Sequence, residues 1–164
     1  MNARFGMIVV LSAIVMVTGC NTAGTTPTPT PSPSPSPSPS PSPQTMAFAA
    51  MLTGDQEVPS VTTGGSGTGT FTFDPQTNEL AYEVTFTGLS GPVSAAHFHN
   101  APTGVSGGVV FDISADFAGG AAMVSGTWPM TADDVTELMA GNIYVNIHTD
   151  QNPAGEIRGQ LVAQ

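Results

Sequence analysis

The sequence predicts an all-β fold, an antiparallel Greek-key β-sandwich of about eight strands with one short connecting helix. Three observations indicate this fold class. Apolar and polar residues alternate in short runs, clusters of Gly, Pro, Asn and Asp separate these runs, and about 119 residues follow the N-terminal segments, enough for one core. Short strands at this spacing are typical of a sandwich or a barrel, and we expect the sandwich.

The first 20 residues have the three parts of a secretory signal peptide. Arg4 provides the positive charge, residues 7–17 are mostly apolar, and small residues precede Cys20. An apolar run of about eleven residues is too short to span a bilayer permanently. The final Val-Thr-Gly-Cys resembles the lipobox of bacterial lipoproteins, so residues 1–20 are predicted to be a lipoprotein signal peptide with Cys20 as the lipidation site. An ordinary signal peptide with a coincidental cysteine is the alternative.

Residues 21–45 form a low-complexity segment of Pro, Ser and Thr. Proline occupies every odd position from 27 to 43, which excludes a helix or a sheet ladder because proline lacks the amide hydrogen. The remaining conformation, polyproline II, extends about 3.1 Å per residue, or up to ~80 Å in total. We interpret this segment as a disordered, semi-rigid stalk that holds a domain away from a membrane. Recognition by a proline-binding partner and glycosylation are alternatives.

Residues 46–164 are predicted to be the folded domain. The clearest signal is the strict alternation of residues 142–149, followed by a cluster of turn formers and a second alternating run. This pattern indicates a closing β-hairpin with one apolar and one polar face. The candidate strands are Ala47–Leu52, Gly67–Phe73, Leu80–Phe86, Val93–His99, Gly108–Ile113, Met123–Trp128, Asn142–Thr149 and Glu156–Val162.

One segment interrupts the strand pattern. Thr131 and Asp134 have the spacing of a capping-box variant, acidic residues occupy the first turn, and Gly141 suits a C-terminal end. We therefore predict that Thr131–Gly141 forms a short helix of two to three turns between two strands.

The charge balance excludes one class of partner. The chain has two basic residues against twelve acidic ones, and Arg158 is the only basic residue of the predicted domain. Such a domain cannot neutralise a phosphate backbone, so nucleic-acid binding is excluded. Cations would be attracted to it, whereas anionic lipid surfaces would repel it without a covalent anchor. Cys20 is the only cysteine, which excludes disulfides in the domain.

The histidines are the residues that suggest chemistry. His97 and His99 share one face of a predicted strand, and His148 lies on the polar face of the closing hairpin. Three imidazoles from two strands can bind one transition-metal ion, and Asp150 or Asn152 could add an oxygen ligand. The alternative is that these histidines are surface or half-buried residues that hydrogen-bond neighbouring loops.

Arg158 and Glu156 are the other candidate site residues. They lie on one face of the last predicted strand, where an ion pair or a hydrogen-bonded anchor across strands is the first interpretation and guidance of an anionic substrate the second. No catalytic residue is predicted, because the sequence lacks a Gly-x-Ser-x-Gly elbow and a phosphate-binding loop.

Residues 46–162 resemble a CHRD domain, the module named after its repeats in chordin. The matching motifs are Leu-Thr-Gly-Asp-Gln-Glu-Val-Pro (52–59), Gly-x-Gly-x-Phe-x-Phe-Asp (67–74), Ala-His-Phe-His-Asn-Ala-Pro (96–102), Tyr-Val-Asn-Ile-His-Thr (144–149) and Asn-Pro-Ala-Gly-Glu-Ile-Arg-Gly-Gln (152–160). The family is also found singly in bacterial secreted proteins and lipoproteins and has no general catalytic assignment. The resemblance therefore implies a fold and a location more than an activity.

A more distant similarity, to copper–zinc superoxide dismutase, concerns the histidines. In that Greek-key family a His-x-His pair binds copper and a late Arg guides the anionic substrate, which would make His97 and His99 ligands and Arg158 the guide. The chain has too few histidines for the dinuclear site of that family, and its disulfide cannot form. The implied cofactor is copper or another transition metal in a mononuclear site.

From the sequence we expect a lipid-anchored, extracytoplasmic protein of the cell envelope, at the outer membrane or cell surface. Asn21, in place of an Asp after the cysteine, favours the outer membrane where one exists. The first hypothesis is a monomeric, non-catalytic binding or structural module that contacts an extracellular protein or glycan. The alternative is a mononuclear copper-type binding or redox protein that uses the three histidines.

Overall fold

The computed structural model describes residues 44–117 and 121–164, which contain nine strands, one α-helix and two short 3-10 helices, Gly54–Gln56 and Ser114–Phe117. The helix α1 spans Ala132–Met139. The strands are β1 (Met46–Thr53), β2 (Ser66–Asp74), β3 (Glu79–Thr87), β4 (Val93–Asn100), β5 (Gly108–Asp112), β6 (Met123–Pro129), β7 (Ile143–Thr149), β8 (Ile157–Gln160) and β9 (Val162–Ala163). The predicted all-β, antiparallel fold class is confirmed. The last predicted strand is divided at Leu161, because β8 pairs with β7 whereas β9 pairs with β1.

The strands form one sheet in the order β5-β4-β7-β8-β1-β2-β3-β6, which folds into two facing layers. The layers meet where β8 and β1 share a single residue pair, Arg158 with Thr53. We call β5-β4-β7-β8 the histidine layer and β1-β2-β3-β6 the threonine layer. The β4–β5 hairpin separates β3 from β6 along the chain, although β3 and β6 are neighbours in the sheet. This connection is of the Greek-key type.

Aromatic side chains fill the space between the layers. Phe98 of the histidine layer meets Phe71 and Tyr82 edge-on, with ring centroids 5.9 and 5.5 Å apart. Phe98 also packs on Trp128 at 5.1 Å, and Trp128 stacks on Phe111 at 5.3 Å. Such pairs contribute about 0.5–1.5 kcal/mol each beyond their burial. The core also fixes the register, because a one-residue slip of β4 would turn Phe98 out and its polar neighbours in.

The helix begins and ends as its capping signals predict. Thr131 Oγ1 accepts a hydrogen bond from Asp134 N at 3.2 Å, and Thr131 N donates to the Asp134 carboxylate at 2.9 Å. Gly141 adopts a left-handed φ of 76° just after the helix. Leu138 is buried in the core. Within the described segments, no helix has the length and apolar character required to cross a bilayer.

Strand β7 alternates as predicted, but all seven of its residues are buried. Its apolar side chains face the core, and its outward-facing side chains are Tyr144, Asn146 and His148. Segments 101–107 and 149–155 cover this outward face through hydrogen bonds to the tyrosine and the histidine. The polar face of the histidine layer is therefore enclosed by loops. The predicted signal peptide with Cys20, and the stalk up to residue 43, lie outside the described residues.

Candidate metal centre

Three imidazoles lie together on the outward face of the histidine layer. His97 and His99 are two residues apart on β4, and His148 lies on the adjacent strand β7, where it pairs with Ala95. One ring nitrogen of each histidine lies within 4.8 Å of the other two. An ion bound to imidazole at about 2.0–2.1 Å needs ligand nitrogens roughly 3–4 Å apart. Small side-chain rotations would therefore close the three rings around one ion.

His99 is held in a tautomer that leaves Nε2 free to bind a metal. Its Nδ1 lies 3.0 Å from the carbonyl oxygen of Gly107. Because a carbonyl only accepts hydrogen bonds, Nδ1 carries the hydrogen and Nε2 carries the lone pair. The Nε2 atom is buried and has no hydrogen-bond partner among the described residues. A buried polar atom without a partner costs about 1–3 kcal/mol, and coordination of a metal would remove that cost.

His148 is held in the same way by a different loop. Its Nδ1 donates to the carbonyl oxygen of Pro153 at 3.0 Å, so its Nε2 also carries a lone pair. This Nε2 lies 3.1 Å from Nδ1 of His97. Two loops thus fix two imidazoles with their lone pairs directed at the same region, which is the usual arrangement of hydrogen bonds behind metal-binding histidines.

His97 is the most exposed of the three histidines. Its side chain is 18% exposed, and its Nε2 lies 3.9 Å from Oδ1 of Asp112, whose side chain is 67% exposed. Without a metal, Nδ1–H of His97 can donate to His148 Nε2. If the hydrogen of His97 lies instead on Nε2, which faces Asp112, then Nδ1 carries a lone pair directed at the region that Nε2 of His148 faces. His97 therefore forms the solvent side of the cluster.

The protonation of the buried imidazoles favours metal binding. Burial lowers the pKa of both His99 and His148, although their hydrogen bonds to backbone carbonyls act in the opposite direction. Repulsion from His97 lowers both pKa values further. A lowered pKa keeps the imidazole neutral at physiological pH, and the neutral ring is the form that binds metal ions.

Gly107 orients two side chains of the centre at once. Its carbonyl accepts from His99, and its amide donates to the hydroxyl oxygen of Tyr144 at 3.0 Å. A Cβ atom at Gly107 would lie 1.9 Å from the carbonyl oxygen of Asn100. Only glycine can therefore bring this backbone segment so close to β4. Sequence reasoning did not identify Gly107, since a glycine in a glycine-rich loop carries no periodic signal.

Tyr144 separates the centre from the only arginine of the described residues. Its ring stacks on His99 with centroids 4.8 Å apart and planes 6° from parallel. The guanidinium carbon of Arg158 lies 3.4 Å from the centroid of the same ring. Because β7 lies between β4 and β8, His99 and Arg158 approach Tyr144 from opposite sides. The alternation of β7 placed Tyr144 on the face of His148, but only the fold reveals this stack.

Arg158 and Glu156 share a face but have separate partners. Arg158 is 2% exposed and donates to the carbonyl oxygens of Val105 at 2.8 Å and Pro102 at 3.3 Å. It also donates to Gln160 Oε1 at 3.2 Å. No hydrogen bond or ion pair joins Arg158 to Glu156 among the described residues, because loop carbonyls occupy the guanidinium. Arg158 thus anchors the loop that carries Gly107.

Glu156 joins three loops on the other side of the centre. Its carboxylate accepts hydrogen bonds from Thr63 Oγ1, Thr149 Oγ1 and both the amide and hydroxyl of Ser90, at 2.5–2.8 Å. Burial alone would raise its pKa, but these hydrogen bonds lower it to about 2. The loop that holds His148 is therefore tied to a fully buried, ionised carboxylate.

A second buried carboxyl lies beside Asn146. Glu57 Oε1 and Asn146 Oδ1 are both buried, and neither has a hydrogen-bond partner in residues 44–117 and 121–164. A Cβ atom at Gly155 would lie 2.7 and 2.6 Å from these two oxygens, so both pack against the glycine. Burial raises the pKa of Glu57 to about 7, and the positive charge of Arg158 opposes this shift.

The two oxygen ligands considered from the sequence lie elsewhere. The Asn152 side-chain amide donates to Ser90 Oγ at 3.1 Å, and Asp150 is exposed. The group of ligand atoms within reach of one ion, among the described residues, contains the three histidines and neither of these side chains. The centre is therefore built from imidazole nitrogens.

The sequence was compared with models of known protein families. The family model of the CHRD domain matches residues 48–161. The chain belongs to the CHRD family. The match spans every strand of the candidate centre, and a CHRD domain is consistent with a binding or structural module. No curated protein and no solved structure matches the chain significantly, so the similarity of this CHRD domain to copper–zinc superoxide dismutase stays a prediction.

Proposed function

We propose that this CHRD domain binds one transition-metal ion, copper, through Nδ1 of His97, Nε2 of His99 and Nε2 of His148. The protein acts as a monomeric metal-binding module and not as a dismutase. The domain contributes three imidazole nitrogens within 4.8 Å of one another, and the partly exposed side next to His97 leaves room for a fourth ligand from solvent.

One observation carries this proposal: Nε2 of His99 is buried, has no partner and bears a lone pair. A histidine that served only to fix a loop would be satisfied by the bond from Nδ1 to Gly107, and its second nitrogen would face water or a donor. In this centre the second nitrogen faces two other imidazoles. Coordination of a shared ion accounts for all three rings at once.

The ligand types favour copper over harder metals. Imidazole suits copper, zinc, iron and nickel, whereas calcium and magnesium prefer oxygen ligands. The centre has no carboxylate among its ligand atoms. Among divalent first-row ions, copper has the highest affinity for such nitrogen sites.

The test is metal analysis of the full-length protein, purified in detergent, stripped with a chelator and dialysed against copper. We expect one copper per chain in the natural protein and none in His99→Ala. Asp150→Asn is the matched control, because it alters an exposed residue beside the His148 loop and should retain one copper. Folded natural protein that binds no copper, or His99→Ala that still binds it, would contradict the proposal.

We further propose that this domain is displayed outside the cytoplasm by a lipid on Cys20. The support is the signal-like N-terminus, the single cysteine at its end and the proline-rich segment that follows. Metabolic labelling with a radioactive fatty acid should label the natural protein, and Cys20→Ser should lose both the label and the membrane association. Equal labelling of the two proteins would rule out this anchor.

The threonine layer supports a second function, contact with an envelope glycan or protein. Its outward face exposes Thr70 and Thr72 of β2 and Thr127 of β6, the two strands that flank β3. Retention of the full-length protein on isolated envelope polysaccharide should be lost in Thr72→Lys and kept in His99→Ala. Loss in neither variant would exclude this face as the contact.

A further inference from the structure

No carboxylate of the described residues forms a hydrogen bond or an ion pair with Arg158, whose charge lies behind the metal centre. Its guanidinium is nearly fully buried, and its hydrogen bonds go to neutral oxygens of Val105, Pro102 and Gln160. Tyr144 alone separates it from His99, through contacts of 3.4 Å and 4.8 Å. A buried charge in this position is screened far less than a surface charge.

The ligand set offers no negative charge to balance it. Imidazole binds a metal as an uncharged ligand, and the groups that orient His99 and His148 are backbone carbonyls and not carboxylates. Asp112 approaches only His97 and is mostly exposed to solvent. The carboxyl that acts on Arg158 is that of Glu57, whose pKa of about 7 leaves it partly neutral around physiological pH.

We propose that Arg158 makes the three-histidine centre selective for a singly charged ion, Cu(I), over doubly charged ions such as Zn(II). The inference rests on the proposed function and names the charge state of its metal. A buried positive charge behind His99 repels Zn(II) about twice as strongly as it repels Cu(I). The same repulsion would favour Cu(I) over Cu(II).

The expected effect is large enough to measure. An ion bound at His99 would lie on the order of 10 Å from the guanidinium. Zn(II) carries one more unit of charge than Cu(I). At an effective dielectric constant of about 20, the repulsion of that extra charge changes the ratio of the two binding affinities by roughly tenfold. The acidic surface of the domain attracts Zn(II) more strongly than Cu(I), which lowers the ratio of Cu(I) to Zn(II) affinity. Its charges are mostly exposed, so roughly 0.15 M salt screens them beyond ~8 Å.

The experiment compares affinities for Cu(I), measured anaerobically by competition with a coloured chelator, and for Zn(II), in the full-length protein at pH 8. Arg158→Met should lower the ratio of Cu(I) to Zn(II) affinity about tenfold. Arg158→Lys keeps the charge and should stay within about threefold of the natural protein. Glu57→Gln removes the opposing carboxylate, which is largely ionised at pH 8, and should raise the ratio.

The outcomes separate the two proposals. Equal ratios in the natural protein and Arg158→Met would overturn the inference while leaving metal binding intact. A drop in Arg158→Lys as large as that in Arg158→Met would show that packing, and not charge, sets the ratio. If Arg158→Met does not fold, Glu57→Gln alone tests the inference. An unchanged or lowered ratio of Cu(I) to Zn(II) affinity in Glu57→Gln would contradict it. Absence of metal binding in the natural protein would instead defeat the proposed function.

Discussion

The two layers of the sandwich share one core but differ in what covers their outward faces. On the threonine layer, small polar side chains such as Thr70 and Ser125 are exposed to solvent. On the histidine layer, loops enclose the outward face, and Arg158, Glu156 and Asn146 are buried together with two of the imidazoles, those of His99 and His148. The strands of both layers alternate in the same way. The outward face of the threonine layer is nevertheless open to solvent, whereas that of the histidine layer is an enclosed polar cluster.

This difference supports the proposal that the histidine layer binds a ligand. Burying polar groups is costly unless they are paired, yet the histidine layer buries a carboxylate, a guanidinium and two histidines. Most of these atoms have well-placed partners, and the exceptions, Nε2 of His99 and the oxygens of Glu57 and Asn146, lie on the same enclosed face. The position of these atoms on one face supports the proposed metal centre.

The largest effect is expected from Gly107→Ala. The added Cβ would overlap the Asn100 carbonyl, so the loop must move away from both His99 and Tyr144. Loss of such an orienting contact weakens metal binding by about 10–100-fold. Gly108→Ala is the matched control, because a Cβ there meets no atom within 4 Å. Equal copper affinities in the two variants, measured by competition titration, would show that the loop does not position the ligand.

The second prediction concerns the carboxylate that ties the loops of the histidine layer. The pKa of Glu156 is lowered to about 2 in the folded protein, so its stabilising effect is complete above pH 4.5 and disappears as the pH falls toward 2. Glu156→Gln should lower the free energy of unfolding by about 3 kcal/mol at pH 7. Urea titrations should find this difference shrinking toward zero near pH 2. A difference that does not change with pH would refute the assigned pKa.

The third prediction concerns the carboxyl whose pKa is shifted the other way. Burial raises the pKa of Glu57 to about 7, so the stability that its neutral form provides is present below pH 4.5 and is lost as the pH rises through 7. Glu57→Gln keeps a neutral side chain and should be about 2 kcal/mol more stable than the natural protein at pH 8. At pH 4 the two proteins should unfold at the same urea concentration. Greater stability of the natural protein at pH 8 would contradict this reasoning.

The smallest effect is expected on the threonine layer. Thr70→Val removes an exposed hydroxyl, keeps the β-branched shape and touches none of the buried polar groups. The free energy of unfolding should change by less than about 0.5 kcal/mol, and copper affinity should be unchanged. A loss of copper binding in this variant would mean that the two outward faces are coupled, which the account does not allow.

Much of the fold follows from local patterns in the sequence. Period-two alternation predicted the strands, placed His97 and His99 on one face and put His148 on the outward face of β7. The capping box of Thr131 and Asp134 predicted the helix. These features depend on residues close together in the chain, where propensity and periodicity act directly.

The rest of the centre depends on contacts between distant residues. Gly107 meets β4 and β7 through a loop with no periodicity, and Glu57 reaches Asn146 and Gly155 from the segment after β1. The pairing of Glu156 with three loops, and not with Arg158, depends on how those loops close over the sheet. Arg158 and Glu156 could be placed on one face from the sequence, but their partners could not.

The central claim, that two loops hold imidazole lone pairs ready for one metal, can be tested by nitrogen-15 NMR of the histidine rings. In metal-free protein we expect hydrogen on Nδ1 and none on Nε2 for both His99 and His148. One equivalent of Cu(I) should shift these two Nε2 signals and the Nδ1 signal of His97. Hydrogen on Nε2 of His99, or three ring spectra that do not change with added metal, would contradict the account.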